Sequence, residues 1–198
     1  MDMATAARRW TVDMVRSLPD DGNRYEVVDG MLLVTPAPSW PHQVAVGELY
    51  QFLTSYLGDH PVGYAMVAPT DIEYDNENMV EPDVFVVPLV GDRPPRSWQE
   101  AGRLMLAVEV LSPSTKKADR VVKRRLYQQQ GVPQYWMVDL GQRRIERWRP
   151  GAEHPEIVTD ALSWQPDDRH PPLVIDLARY FARVLGDEGT GTPRPHPS

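Results

Sequence analysis

Two acidic side chains, separated by one proline, stand at the start of an apolar stretch in the middle of the sequence. The stretch "EPDVFVVP" begins with Glu81 and Asp83, and a second apolar stretch, "LMLAVEVLSPST", carries Glu109 near its end. Both stretches are rich in the residues that favour strands, and alternate residues of a strand share one face. The predicted face partners are Glu81, Phe85 and Val87 for Asp83, and Met105, Ala107 and Leu111 for Glu109. Each predicted strand therefore presents a carboxylate at one end.

Glu109 requires a partner if its strand is buried. A near-continuous apolar run is typical of a strand covered on both faces, where an unpaired carboxylate costs several kcal/mol. A divalent cation shared with Asp83 would meet this need, since Mg²⁺ prefers oxygen ligands and often takes only one or two carboxylates. The alternatives are a buried salt bridge to a lysine or arginine, or an acid at the strand end that reaches water.

The segment "KKADRVVKRR" concentrates positive charge in an otherwise acidic chain. It contains six basic residues and one acid, Asp119. If the segment is helical, Asp119 and Lys123 lie one turn apart and can pair, and Tyr127 lies one turn further along. The simpler interpretation is a solvated helix face with a surface ion pair that contributes little stability.

Composition narrows the classes of protein. The net charge of −7 and the isoelectric point near 5.2 argue against a protein that coats nucleic acid non-specifically through many cationic contacts. The absence of cysteine excludes disulfides and thiolate chemistry. No apolar run is long enough for a membrane span, and the first residues lack the apolar stretch of a secretory signal, so a cytoplasmic location without membrane contact is expected.

Local patterns predict the elements of the first half of the chain. Thr11 is expected to cap a short helix that ends at Leu18–Pro19. The segment "RYEVVDGMLLVTP" predicts a hairpin with a tight turn at Asp29–Gly30. After Pro41 the spacing becomes helical, with Gly58 as the expected stop.

Strands and helices alternate in the remainder of the chain. Strands are predicted at 62–67, 71–74, 80–87 and 104–111, a helix at 116–130, a strand pair across Gly141 and a last helix at 177–185. Tyr135 and Trp136 are expected to pack in the core rather than to stack on bases. The chain is predicted to form a single domain over residues 1–185, with its core at about 24–139, followed by a disordered tail at 186–198.

Taken together, these stretches resemble the PD-(D/E)XK nuclease superfamily and, more closely, the Uma-type restriction endonuclease family. The matching segments, which run in the family's order from Tyr25 to Asp139, are "YEVVDGMLLV", His42 with the helix after it, "EPDVFVV", "LAVEVLSPST" and "ADRVVKRRLYQQQGVPQYWMVD". The resemblance implies an α/β fold, a restriction-endonuclease-like mixed β-sheet flanked by helices, with an N-terminal hairpin and helix.

The resemblance also implies a catalytic site. Asp83, Glu109 and the backbone carbonyl of Val110 would hold Mg²⁺, for which Mn²⁺ can substitute, for hydrolysis of DNA phosphodiester bonds. The superfamily places a lysine two residues after the glutamate, where this sequence has Leu111, and Lys123 on the next helix resembles the replacement. Glu26 matches a further position that would be a metal ligand or a general base.

Two more residues are candidates for the site with weaker support. His42 matches a family histidine and would hydrogen-bond a phosphate or a carboxylate, although a lone histidine at a helix start is more often a cap. Tyr127 lies on the same predicted helix face as Lys123. The acids at 71, 73, 75 and 77 alternate and are expected to face solvent.

Three hypotheses for function follow. The first is a metal-dependent endodeoxyribonuclease that contacts DNA phosphates through Lys116, Lys117, Arg120 and Arg124 and acts as a homodimer to cut both strands. The second is a catalytically inactive nuclease-like module that binds nucleic acid or a protein partner, for which the missing strand lysine at Leu111 is the sign. The third, an acidic scaffold, fits the net charge but leaves Glu109 unexplained.

Overall fold

The computed structural model describes residues 9–187, and this part of the chain contains five α-helices and twelve strands. The helices are α1 (Val12–Arg16), α2 (Trp40–Asp59), α3 (Trp98–Ala101), α4 (Arg124–Gln129) and α5 (Leu177–Leu185), and a π-helical segment (Ala118–Lys123) leads directly into α4. The strands are β1 (Arg24–Val28), β2 (Met31–Thr35), β3 (Tyr64–Val67), β4 (Ile72–Asp75), β5 (Asn78–Val80), β6 (Val84–Val87), β7 (Leu106–Val110), β8 (Tyr135–Asp139), β9 (Arg144–Trp148), β10 (Glu156–Val158), β11 (Ala161–Trp164) and β12 (Leu173–Asp176).

The central element is a six-stranded mixed sheet in the order β10-β9-β8-β7-β6-β3. Only β7 and β8 run parallel within it, and the other neighbours are antiparallel. Parallel neighbours need a long crossover connection, and here the π-helical segment and α4 provide it. The parallel pair therefore requires the helix that carries the basic residues.

Both faces of this sheet are buried, as the apolar runs predict. One face, which includes Val84, Val108 and Trp136, packs against α2 and α5. The opposite face, which includes Phe85, Ala107 and Met137, packs against α4 and residues of β1 and β4. Glu109 shares the second face with Ala107, because side chains alternate along β7. Tyr135 and Trp136 are buried at 1% and 0% exposure, which confirms their predicted packing role.

A second sheet of four strands, in the order β2-β1-β5-β4, carries the N-terminal hairpin. The predicted turn is confirmed, with φ angles of 50° at Asp29 and 73° at Gly30. A third sheet pairs β11 with β12. These two strands and β10 are short and were not predicted from the sequence.

The continuous strand predicted at 80–87 is wrong. The chain instead leaves the second sheet after β5, passes through Glu81, Pro82 and Asp83, and enters the central sheet as β6. Proline cannot donate a backbone hydrogen bond, which favours a break in pairing at this point. The two acids thus lie on a buried link between sheets.

Most helix boundaries agree with the sequence patterns. Thr11 caps α1 by accepting a hydrogen bond from the Met14 backbone N–H, and α5 has its predicted bounds. The predicted stop at Gly58 is wrong, since α2 continues to Asp59 and His60 is its C-cap residue. No described helix is long and apolar enough to span a bilayer. Of the tail predicted at 186–198, residues 188–198 lie outside the described part of the chain.

The close packing between β3 and β6 makes Gly63 a sensitive position. A Cβ atom there would lie 2.9 Å from the Val87 carbonyl oxygen and 3.1 Å from Met105 Sδ. Gly63→Ala is expected to lower the free energy of unfolding by about 1–3 kcal/mol through overpacking. Gly47→Ala in α2, where nothing lies within 4 Å, is the control and should raise it by about 0.4–1 kcal/mol. Urea unfolding measures both, and equal midpoints would contradict the packing argument.

Candidate active site

Four buried acids from four parts of the chain converge beside the central sheet. Glu26 comes from β1, Asp83 from the link before β6, Glu109 from β7 and Asp119 from the π-helical segment. Their exposed fractions are 0%, 4%, 1% and 1%, respectively. The second sheet brings Glu26 over the face that carries Glu109, and the crossover brings Asp119 to the same place. A cluster of this kind needs cations nearby to remain charged.

Lys123 supplies one such cation at the centre of three of these acids. Its Nζ lies 2.8 Å from Glu26 Oε2, 2.9 Å from Glu109 Oε1 and 3.6 Å from Asp119 Oδ1. Both Lys123 and Asp119 are 1% exposed, so the interpretation of this pair as a surface ion pair is wrong. The buried salt bridge weighed for Glu109 is therefore present.

Two donors hold Glu109 through the same carboxylate oxygen. Lys123 Nζ and the Tyr127 hydroxyl, at 2.9 and 3.2 Å, both donate to Oε1. Among the described residues, the buried carboxylate oxygens without a hydrogen-bond partner are Glu26 Oε2 and Asp119 Oδ1, which meet Lys123 as ion pairs. Burial, the largest cause, and the charges of Asp83 and Asp119 raise the pKa of Glu109 well above its ordinary value despite Lys123. Burial likewise raises the pKa of Asp119.

Asp83 lies in a different electrostatic environment from Glu109. Its Oδ2 accepts a hydrogen bond from the Val110 backbone N–H at 2.8 Å and lies 3.2 Å from His42 Nε2, while Arg24 Nη1 donates to Oδ1 at 3.0 Å. Burial alone would raise the pKa of Asp83, but the donors, led by His42, lower it to about 2. Asp83 is therefore held as a carboxylate.

Arg24 and Glu81 belong to the site but were not identified from the sequence. Arg24 stands two residues before Glu26, so it shares a strand face with Glu26, and this spacing is the signal that would have identified it. The Glu81 backbone N–H donates to Glu26 Oε1 at 2.7 Å. Burial and the nearby charge of Glu26 raise the pKa of Glu81 to about 7.

A cavity of about 720 Å³ gives access to one side of the cluster. Its lining includes Arg24, His42, Glu81, Asp83 and Val110, together with the residues of the "SPST" segment that follows β7. Glu109 and Lys123 do not contribute to that lining. The site thus has an outer part that meets the cavity and a sealed inner part.

Most of the predicted nucleic-acid contacts already have partners within the protein. Lys116 Nζ lies 3.3 Å from Asp139 Oδ2, and Arg120 pairs with Asp139 and Glu146. The Arg124 guanidinium carbon lies 4.6 Å from the centre of the Trp148 ring. Lys117 is exposed. The role of these residues in binding nucleic acid stays a prediction.

The mixed sheet and its crossover helix define a nuclease-like α/β protein. A crystal structure described as that of a putative nuclease belonging to DUF820, from Anabaena variabilis, matches with a TM-score of 0.71 and 16% identity over 88% of this chain and 99% of that chain. The model of the Uma2 family, described as "Putative restriction endonuclease", matches residues 12–178, and the chain belongs to this family. A search of curated proteins found no match.

The stability of the inner part is expected to depend on Lys123. Lys123→Met keeps the apolar stem but leaves buried acids without their cation, which should lower the free energy of unfolding by about 3–5 kcal/mol at neutral pH. The deficit should shrink in acid, because the acids can then be neutralised by protons. Lys117→Met at an exposed position is the control, expected within about 0.5 kcal/mol of the unaltered protein. Denaturant unfolding gives both values, and equal values for the two variants would contradict the central role of Lys123.

The raised pKa of Glu81 predicts that part of the free energy of unfolding depends on pH. Its pKa is raised from the ordinary value of 4.5 to about 7, so between these values the folded state binds more protons than the unfolded state. This contribution to stability is fully present below the lower value and is lost as the pH rises through the upper value. Glu81→Gln should therefore gain stability relative to the unaltered protein as the pH rises from about 4.5 to about 7, and the difference should level off above that. Melting temperatures across this range test it, with the exposed Glu153→Gln as control; a pH-independent difference for Glu81→Gln would refute it.

Proposed function

We propose that the protein is a Mg²⁺-dependent endonuclease that hydrolyses phosphodiester bonds of DNA, with Asp83 and Glu109 as cation ligands. The observation that carries this proposal is that these two carboxylates belong to one buried cluster of acids, in which Asp83 lines the cavity and Glu109 shares Lys123 with two other acids. Membership of a family described as restriction endonucleases supports the same reaction class.

The residues present fit a magnesium ion. Among residues 9–187 no group of three or more histidines and acids is arranged as a ready-made metal site. Mg²⁺ does not require one, because it is commonly held by one or two carboxylates while water and substrate phosphate complete its shell. Burial is the main cause of the raised pKa of Glu109, and the nearby acids Asp83, Asp119 and Glu26 add to it; a bound divalent cation would favour the charged carboxylate. The backbone carbonyl of Val110 is proposed as a third ligand.

Bound Mg²⁺ would lower the pKa of the attacking water and offset charge on the phosphate. The protein's own groups position the ligands. The Val110 N–H orients Asp83, and Lys123 and Tyr127 orient Glu109 through its Oε1. Glu26, held by the Glu81 N–H and Lys123, is proposed as a further ligand or as the base that accepts a proton from water. Lys123 acts through these carboxylates, since it is sealed from the cavity.

Contacts with DNA are proposed along the crossover helix. Lys117 is exposed, and Lys116, Arg120 and Arg124 lie on the same helical segment. Each phosphate contact should contribute about one unit to the slope of log affinity against log salt. We further propose that the protein acts as a homodimer that cuts both DNA strands. It is proposed to act in the cytoplasm and to fold as one domain over residues 1–185. Sedimentation tests the oligomeric state.

The proposal predicts that both carboxylates are required for cleavage. Asp83→Asn and Glu109→Gln keep side-chain size and remove ligand charge, so each should abolish Mg²⁺- or Mn²⁺-dependent DNA cleavage. The exposed pair Asp168→Asn and Glu153→Gln are the matched controls and should cleave at the unaltered rate. Mg²⁺ should also raise the melting temperature of the unaltered protein more than that of either site variant, because it binds only the folded state.

Two outcomes would redirect the assignment. Cleavage by either site variant at the unaltered rate would show that the metal ligands lie elsewhere. DNA binding by the unaltered protein without cleavage in either metal would favour the inactive binding module. That alternative is favoured by Leu111, which occupies the strand position of the superfamily lysine, and by the sealed location of Lys123.

A further inference from the structure

Both oxygens of Asp83 are engaged by basic groups on the cavity side. Arg24 Nη1 lies 3.0 Å from Oδ1, and His42 Nε2 lies 3.2 Å from Oδ2, which also accepts the Val110 N–H. The side chains of Arg24 and Asp83 are 18% and 5% exposed, so this ion pair is largely shielded from water. A cation that binds Asp83 must therefore compete with Arg24 and His42.

Arg24 and His42 also have binding capacity that the protein does not use. Arg24 Nε and His42 Nδ1 are buried, and neither has a hydrogen-bond partner among the described residues. Both side chains line the cavity, and His42 is only 9% exposed. Buried polar nitrogens without partners are rare and need an explanation; because these two side chains line the same cavity, a ligand bound there would complete their hydrogen bonding.

The first turn of α2 contributes to the same wall of the cavity. Ser39, His42 and Gln43 line it, and Ser39 makes no side-chain capping hydrogen bond. The first turn of this 20-residue helix contains no acid, so its free N–H groups and the positive end of its dipole are not neutralised locally. Such a helix start favours anions.

We propose that Arg24, His42 and the first turn of α2 form a phosphate subsite, and that a phosphodiester bound there draws Arg24 and His42 away from Asp83 and so frees Asp83 for the cation. This inference rests on the proposed function, because it concerns the order in which the substrate and the cation occupy that site. The ligand class is the backbone phosphate of a nucleic acid. Arg24 and His42 are positioning residues in this scheme. Their side chains leave the Asp83 carboxylate and bind the phosphate, which is also negatively charged.

The exchange couples the two ligands. In the free protein the basic groups hold Asp83 and weaken cation binding, whereas a bound phosphate removes the competition. Linkage requires the effect to be reciprocal, so the cation must strengthen phosphate binding by the same factor. The protein would then retain its metal mainly when substrate is present.

Calorimetric titration of the full chain with Mg²⁺ tests the coupling without a cleavage readout. The titration is made alone, with inorganic phosphate, and with the dinucleotide TpT, which carries one phosphodiester. Both additives are expected to tighten Mg²⁺ binding by about 10-fold, within the usual range for coupled sites. Tightening by inorganic phosphate but not by TpT would overturn the nucleic-acid assignment, and no tightening by either would overturn the coupling.

Arg24→Gln separates release of Asp83 from direct attraction between Mg²⁺ and phosphate. This variant should bind Mg²⁺ alone more tightly than the unaltered protein and lose most of the effect of added phosphate. Arg144→Gln is the matched control, because Arg144 also has a buried, unpartnered Nε and pairs with an acid, Glu146. Its Mg²⁺ affinity and coupling should equal those of the unaltered protein.

Three results have distinct meanings. Unchanged coupling in a folded Arg24→Gln protein would overturn the role of Arg24. If that variant does not fold, His42→Gln, which removes the other group on Asp83, should show reduced coupling, and full coupling there would overturn the subsite. Absence of Mg²⁺ binding to the unaltered protein under every condition would instead contradict the proposed function, and the inference with it.

Discussion

The arrangement of the site depends on one buried ammonium group. Lys123 contacts acids from β1, β7 and its own π-helical segment, and so joins the second sheet, the central sheet and the crossover. A charge at 1% exposure is tolerated only when its partners are fixed in position. The relative placement of these three parts is therefore constrained by the need to satisfy a single cation.

The single charge of Lys123 does not neutralise all the acids of the site, and the site has two parts with different electrostatic environments. In the inner part, Lys123 is shared by three acids, and burial raises the pKa values of Glu109 and Asp119. In the outer part, Asp83 is kept charged by Arg24, His42 and a backbone N–H. The inner part holds excess negative charge, and the outer part holds unused donors beside a cavity. A cation and a phosphate together would satisfy both.

The π-helical turn is the local feature that makes this geometry available. It lies on the crossover between the parallel strands β7 and β8. π-Helical turns are rare in proteins, and those that occur are often found at functional sites. Here the turn buries both Asp119 and Lys123 while Lys117 and Arg125 remain exposed. One short segment thus serves the sealed cluster on one side and presents positive charge to solvent on the other.

The sequence by itself determined which residues have the chemistry: local pattern predicted Asp83 and Glu109, as well as the hairpin and the last helix, and the resemblance to the family added Glu26 and Lys123. Only the tertiary structure decided how they combine. It broke the strand expected at 80–87, added Arg24 and Glu81 to the site, and sealed Lys123 from the cavity. The physical reason is that periodicity reports on neighbours a few residues apart, whereas Arg24 and Asp83 meet across 59 positions, where only the packing of one sheet on another brings their charges together.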